Sequence, residues 1–331
     1  MNSDRLEVRA VPDVVDPVDQ YIAKLYRSAL AVPAMDYRTW ALRELGSLIS
    51  HDAGIWGSGS LSRLRFHTCT VAGLPESYPG ALEATTDINP ILPRMLQNLD
   101  EPVDMRDVMR DSEFFKSEIY KRVFGPHGIS RILATVHFDQ RSGLYSLVSL
   151  YRRDRKEVFT DEEKARQKRI TYHLFNAVSH AFFLHLARDR QRPPNSAAAV
   201  IDQEGCFHQA QPRFLDLLER HFPGRKDPYT LPFGAPAPGE TRVIGELCVK
   251  CDPSNDVFII YIWEAGPLDR LTQREREIVL AVAQGLSFKQ AAKKIGVAPS
   301  TVANHLYRVY RKLGVYSRTE LAALVHPGSG G

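Results

Sequence analysis

Cysteine is scarce, with four in 331 residues. The spacing of Cys69, Cys206, Cys248 and Cys251 is not that of a disulfide-stapled secreted module. Long apolar runs are missing too. AFFLHLA at 181–187 is broken by His185, and a membrane-spanning helix needs roughly 20 apolar residues. The opening MNSDRLEVRAVPDVVDPVDQ is polar and carries two prolines, unlike a basic-then-apolar leader. A cytoplasmic chain with no membrane partner is the expectation. Catalytic signatures are equally thin. There is no HExxH-like metal pair, no nucleophile–base constellation and no phosphate loop ending in Lys-Ser/Thr, so an enzyme is not expected. His127, between Pro126 and Gly128, is the one loop histidine to weigh for catalysis, and a turn accounts for it.

What is present is material for packed cores: 44% hydrophobic and 25% charged residues, a globular composition long enough for two or three domains. Charge is unevenly shared. Between 268 and 325 stand ten basic side chains against four acidic ones, a net +6 in a chain whose total is +4, so the remainder carries −2. Positive charge gathered on one small domain fits a polyanionic partner such as double-stranded DNA, a solvated helical face being the plainer alternative.

The order of elements divides the chain into an N-terminal segment (1–29), a sensor-type α/β (α+β) domain (30–189), a linker (190–197), a small α+β domain (198–265) and an all-α domain (268–326). Two helical patterns fill 17–50. GIWGSGSLSRLRFHTCTV (54–71) reads as two strands around a Gly/Ser turn, with Gly54–Gly59 taken as a hairpin turn rather than a phosphate loop. Residues 89–124 read as helical, Asp111 or Ser112 capping EFFKSEIYKRVF. A hairpin spans 131–153 around Asp139–Gly143. Thr160 and Glu163 form a capping box that opens a helix to about 189. Beyond the linker, AAVIDQEGCFH folds back around Asp202–Gly205 and PRFLDLLERHF is helical. The segments 242–250 and 257–264 pair over Asp252–Asn255. No internal repeat is visible.

The C-terminal stretch is the most informative. Thr272 with Glu275, and Ser287 with Gln290, form capping boxes. Phe288, Ala291, Ala292 and Ile295 are the expected buried side of the second helix. Gly296 ends that helix and Pro299 suits the first position of the next. Val302, Leu306, Val309 and Leu313 make a core stripe on this third helix. Its other face presents Thr301, Asn304, His305, Arg308, Arg311 and Lys312. Ser317 and Glu320 open a fourth helix carrying Leu321, Leu324 and Val325. Two helices joined by a tight glycine turn, the second polar and basic opposite its core, suit a helix laid in the major groove.

These residues, LTQREREIVLAVAQGLSFKQAAKKIGVAPSTVANHLYRVYRKLGVYSRTEL, resemble the LuxR/FixJ-type helix-turn-helix, over about a fifth of the chain. The resemblance implies a bacterial transcription regulator. It places the helix-turn-helix at 288–307, with Thr301, Ala303, Asn304 and Tyr307 toward the bases and His305, Arg308, Lys312 and Arg318 near the backbone. Lys289, Val302 and Arg311 complete the expected DNA-contacting set. Two departures stand out: Ala303 replaces the family's common Lys, and Ala298 occupies the usual Ser cap.

In the same family, a phosphorylatable receiver would show an acidic pair after a first strand, and none is found. An acyl-homoserine-lactone pocket would show Trp, Tyr and Asp-Pro at set spacings. Trp40, Trp56 and Tyr37 are there, but the Asp-Pro element does not align. The order of elements instead resembles a GAF-type sensor over 30–189 and a small PAS-type unit over 198–264. If the first sheet encloses a small organic effector, its lining is expected from Trp56, Phe66, His67, Phe114, Phe115, Tyr120, His137 and Tyr145, an ordinary core being the alternative for each. Cys206, His208, Cys248 and Cys251 would form a Cys3His zinc set were their strands adjacent. Buried strand cysteines are the plainer reading, and no cofactor is otherwise expected. The resulting expectation is a homodimer joined through Leu321, Leu324 and Val325 on an inverted-repeat site. The helix at 161–189 and the hairpin at 242–264 would set the spacing of the two DNA-binding domains. Control by a protein partner, or an enzyme with a DNA-binding tail, are the alternatives.

Overall fold

In the computed structural model, residues 16–60, 65–188, 192–254 and 257–325 are described. The first unit runs through α1 (Pro17–Arg27), α2 (Tyr37–Leu45), β1 (Ala53–Ser60), β2 (Arg65–Ala72), α3 (Tyr78–Glu83), α4 (Ile91–Gln97) and β3 (Val103–Asp104). Two single-turn helices, α5 (Met105–Val108) and α6 (Asp111–Phe114), lead to the hairpin β4 (Arg131–Asp139) and β5 (Leu144–Arg152). The long α7 (Asp161–Ala187) closes the unit. The strands form an antiparallel sheet in the order β2-β1-β5-β4-β3.

Side chains alternate across this sheet, so each face has its own core. Trp56, Leu133, Val148 and Leu150 meet α1, α2 and α7 on one side. Ile55, Ile132, Ala134, Val136 and Leu147 meet the short helices on the other. Val18, Tyr21 and Leu25 of α1 share the first core with Leu174 and Phe175. The sensor unit therefore includes α1, so the expected boundary between residues 29 and 30 is corrected; residues 1–15 lie outside the described residues. The start of α7 is as expected: Thr160 Oγ1 accepts from the Glu163 amide at 3.2 Å and Glu163 Oε2 from the Thr160 amide at 3.0 Å.

Two readings of this unit need correction. Gly54–Gly59 is continuous strand, and the expected turn is not within it; residues 61–64 lie outside the described residues. Residues 89–124 are broken into short pieces, with left-handed Asp100 (φ 65°) shortly before Pro102 ending the first. Asp111 caps nothing. Its carboxylate instead accepts from Arg131 Nη1 at 2.7 Å and Nη2 at 2.9 Å, because a buried guanidinium needs a counter-ion more than a one-turn helix needs a cap.

The second unit holds β6 (Ala197–Ile201), β7 (Phe207–Ala210), α8 (Pro212–His221), β8 (Thr241–Ile244), β9 (Leu247–Ser254) and β10 (Val257–Glu264). Its sheet runs β7-β6-β10-β9-β8. Segment 242–250, expected as one strand, is two, because Gly245 (φ 62°) and Glu246 fold β8 back on β9. The β9–β10 turn includes residues 255–256, outside the described residues. Numbered within each unit, both sheets follow the same path: second, first, fifth, fourth, third strand. The repeat that the residues hide is thus topological.

The third unit is α9 (Gln273–Ala283), α10 (Phe288–Ile295), α11 (Pro299–Leu313) and α12 (Arg318–Val325) around one apolar core. Together these are two α/β sheet units followed by an all-α unit. Among the described residues no helix is long and apolar enough to cross a membrane.

Candidate nucleic-acid interface and effector cavity

The helical unit is built by its caps. Thr272 and Ser287 each complete a reciprocal capping box, at the starts of α9 and α10. Gly296 closes α10 at φ 74°, a left-handed turn that costs a side-chain-bearing residue roughly 1–2 kcal/mol. Three residues separate α10 from α11, and Pro299 takes the first helical position. Ala298 makes no side-chain cap, as its residue type requires. At α12, Ser317 Oγ accepts from the Glu320 amide at 3.1 Å, but the Glu320 carboxylate returns to the Tyr316 amide at 2.9 Å, one residue early.

On α11, Val302, Leu306 and Val309 are buried in the domain core. Val302 is therefore removed from the expected DNA-contacting set. The outward face carries exposed Asn304, Arg308, Arg311 and Tyr307 (66% exposed), with Thr301 and Ala303 half-buried beside them. Lys289 on α10 is exposed as well, and Phe288, expected in the core, is 44% exposed. Among the described residues Lys289, Lys293, Arg308 and Arg311 form no ion pair, whereas Arg270, Arg274, Arg276 and Lys312 each do.

Two residues assigned to the DNA backbone are engaged in the domain itself. Lys312 Nζ lies 2.7 Å from both oxygens of buried Glu275. Arg318 donates to the carbonyls of Val282 (3.1 and 2.9 Å) and Leu286 (3.1 Å), closing the C-terminal end of α9. Burial pushes the Glu275 carboxyl up, but the hydrogen bonds from Lys312 and Thr272 outweigh it and hold the group below the usual range. His305 faces α9 in a concavity shared with Thr272, Arg308 and Arg311, its Nδ1 buried without a hydrogen-bond partner. Leu321 is buried in its own domain's core, whereas Leu324 and Val325 pack half-buried against that core, so Leu321 is removed from the expected dimer face.

Residues 269–325 match the family described as bacterial regulatory proteins, luxR family. The chain is 41% identical over 64 residues to the transcriptional regulatory protein UhpA of Salmonella typhimurium, covering 19% of this chain and 33% of that one. It is 42% identical over 67 residues to the probable HTH-type transcriptional regulator GfsR of Streptomyces halstedii, covering 20% and 28%. The chain spans a third or less of the length of these curated relatives. Among solved structures it is similar to Escherichia coli SdiA (TM-score 0.38, 11% identity, 93% of this chain and 96% of that chain). It is also similar to the GAF domain/HD domain protein from Geobacter sulfurreducens (TM-score 0.32, 19% identity, 50% and 95%).

In front of the luxR-family domain, a cavity of about 70 Å3 lies between the first sheet and α3–α4. Its walls are Leu82, Ile91, Leu92 and Met95 from the helices and Ile132, Ala134, Val136, Leu147, Ser149 and Tyr151 from β4 and β5. Phe66 and Tyr145 line it as expected. β1 leaves space at this face: a Cβ on Gly57 would stand 2.2 Å from Phe66 Cε1, and one on Gly59 2.0 Å from the Arg65 carbonyl oxygen. Glu83, on the rim, accepts from the Phe66 amide at 2.6 Å and pins the edge strand.

The other expected lining residues lie elsewhere. Trp56 points to the opposite face beneath Arg38 and Phe175. Phe114, Phe115 and Tyr120 pack on one another in an aromatic cluster beside the cavity. His137 is held by Asp100 at 2.6 Å on the α7 face. His67 stacks on His208 of the second unit, ring centroids 3.8 Å apart. The choice by aromatic and histidine content missed the aliphatic lid on α3 and α4. The alternation along β4 and β5 would have identified the rest of the lining.

The four-residue zinc set does not assemble. β7, which follows Cys206 and carries His208, is separated from β9, which carries Cys248 and Cys251, by β6 and β10. That is roughly 14 Å at sheet spacing, far beyond a shared metal. Cys248 and Cys251, three apart on a strand, also take opposite faces. Burial, then Asp269, pushes the Cys248 thiol up to about 12, so it is a packed thiol rather than a reactive thiolate.

Proposed function

We propose that this chain is a bacterial transcription regulator, acting in the cytoplasm, whose luxR-family domain reads duplex DNA through α11. The observation that carries this reading is the outward face of that helix. It holds Asn304, Tyr307, Arg308 and Arg311, with unpaired Lys289 and Lys293 on the helix before it. Amide and guanidinium groups at these positions suit base edges, and the flanking cations suit phosphates. The net +6 of this domain supports the same partner. One such helix reads only a few base pairs, so two copies on an inverted repeat supply the specificity a genome demands. The sensor cavity has the apolar, sparsely polar lining of an effector site, and at about 70 Å3 it admits only a ligand of a few heavy atoms, which would modulate the regulator without being transformed.

The test is selection of duplexes from a random pool by the full-length chain, followed by fluorescence anisotropy against salt. A dyad-symmetric site should emerge. Affinity should fall steeply with salt, and Arg308→Ala should lessen that slope by about one for each phosphate that the variant no longer neutralises. Failure to enrich any duplex overturns the reading, and enrichment of an asymmetric site overturns the paired-copy part of it.

A further inference from the structure

The opposite face of the first sheet carries a second, larger space. A cleft of about 690 Å3 opens between the β4–β5 end of that sheet, the C-terminal half of α7 and the β7–α8 segment of the second unit. Its volume is that of a small-molecule site, and junctions between domains are where such sites commonly form.

The floor is a cross-strand row. Ser58 pairs with Ser146, which pairs with His137 on the next strand. Behind the row stands Arg38, 6% exposed. Among the described residues it has no carboxylate partner; its bonds are Nη2 to Ser58 Oγ at 2.9 Å and two long ones to the Trp56 and Thr68 carbonyls at 3.5 Å. Burial lowers its pKa to about 10, which leaves it charged at neutral pH. A buried cation held only by neutral groups, here a hydroxyl, two carbonyls and the Trp56 ring face 5.2 Å away, is costly, so a negative group nearby would stabilise this one.

Hydrogen-bond direction carries that need into the cleft. A guanidinium has no acceptor, so Ser58 must accept from it. The Ser58 proton is then free for Ser146 Oγ, 2.6 Å away. With Ser58 donating, Ser146 accepts and has its own proton to offer the cleft. From the facing wall Gln211 contributes a second donor: its Oε1 is taken by the Ala198 amide at 2.8 Å, which leaves its amide nitrogen to donate. The one carboxylate lining the cleft, Asp139, already accepts from the Arg141 amide at 3.1 Å and Ser142 Oγ at 2.5 Å. Tyr172 and Phe175 supply a flat apolar wall.

We propose that this cleft binds a small aromatic carboxylate, its carboxylate received by Ser146 and Gln211 and its ring lying against Tyr172 and Phe175. Such a ligand bridges the two units where they already meet. Arg141 at the tip of the β4–β5 hairpin pairs with Asp216 and Glu219 of α8, at 2.7 and 3.1 Å. Gly143 lies so close under Tyr229 that an added Cβ would stand 2.3 Å from its ring.

Benzoate is the probe, titrated calorimetrically into the full-length chain without DNA, beside benzyl alcohol and inorganic phosphate. Saturable binding of one benzoate per chain is expected, with benzyl alcohol at least tenfold weaker. Ser146→Ala should weaken benzoate at least fivefold while circular dichroism stays that of the wild type, and Arg38→Met should do the same if it folds. Four results overturn the proposal: no benzoate binding; equal binding of the alcohol; phosphate preferred over benzoate; or Ser149→Ala, on the other face of the sheet, weakening benzoate while Ser146→Ala does not. None of these outcomes depends on whether the chain binds DNA.

Discussion

Replacing the buried Glu275 by Gln should loosen the helical domain. The Glu275 carboxylate is 4% exposed and receives Lys312 Nζ on both oxygens and the Thr272 amide at 2.9 Å. A glutamine fills the same volume but sets an amide donor against the ammonium donor. Hydrogen bonds between charged groups contribute about 1.5–3 kcal/mol. Lys312 is half open to solvent, with 45% of its side chain exposed, which screens part of this. A loss of about 1–2 kcal/mol remains, equal to roughly a 5–30-fold rise in the opening equilibrium. Amide hydrogen exchange read by mass spectrometry on α9 and α11 peptides reports that rise directly. The pH dependence has a definite sign. The folded-state pKa of Glu275 is lowered, so its stabilisation is fully present above the unfolded value of about 4.3 and is lost as pH falls through the lower folded value. The wild-type domain should therefore shed this contribution on acidification, and the variant should have none to shed. Exchange within twofold of wild type at neutral pH would refute the assignment of this pair to stability. So would an unchanged acid unfolding curve by circular dichroism.

Three further outcomes are expected. Ala298→Ser should add the missing cap at the start of α11 and raise stability by roughly 0.5–2 kcal/mol, seen as a higher denaturant midpoint at unchanged slope. Arg318→Ala should lower thermal stability by removing donors from the Val282 and Leu286 carbonyls; in a DNA titration the salt slope should stay as in wild type, and a reduced slope would restore Arg318 to the phosphate contacts. Gly57→Val should drive a side chain into Phe66 and cost about 1–3 kcal/mol by overpacking, measured by urea unfolding, whereas an unchanged midpoint would mean that Phe66 is free to leave the cavity wall.

Elements with strong local signals were legible in the sequence. Capping boxes at Thr160, Thr272 and Ser287 are decided within four residues, and each stands where its residue types place it. The fold of the DNA-binding domain and the polar face of α11 follow from the same local chemistry together with the 3.6-residue period. What was not legible depends on distant partners. Lys312 and Arg318 look like free cations until Glu275 and two carbonyls of α9 are brought beside them. Asp111 looks like a cap until Arg131, twenty residues on, claims it. Cys206, His208, Cys248 and Cys251 suggest a metal set only while strand order is unknown. The sheet cavity suffered differently. Its lining is aliphatic and alternates with residues of the opposite core, so a search by residue type selected Trp56 and His137, which face the other way.

That alternation has a consequence for how the protein can change. Along β5, Leu147, Ser149 and Tyr151 face the cavity beneath the short helices, while Ser146, Val148 and Leu150 face α7 and the junction between units. Neighbours in the chain thus serve separate compartments. A point substitution can retune one compartment while leaving the other's walls intact, so the two can diverge independently over evolutionary time. A single-residue insertion cannot do so, because it would exchange the two sets of side chains wholesale. Lineages carrying this unit should therefore vary β5 by replacement and hold its length fixed.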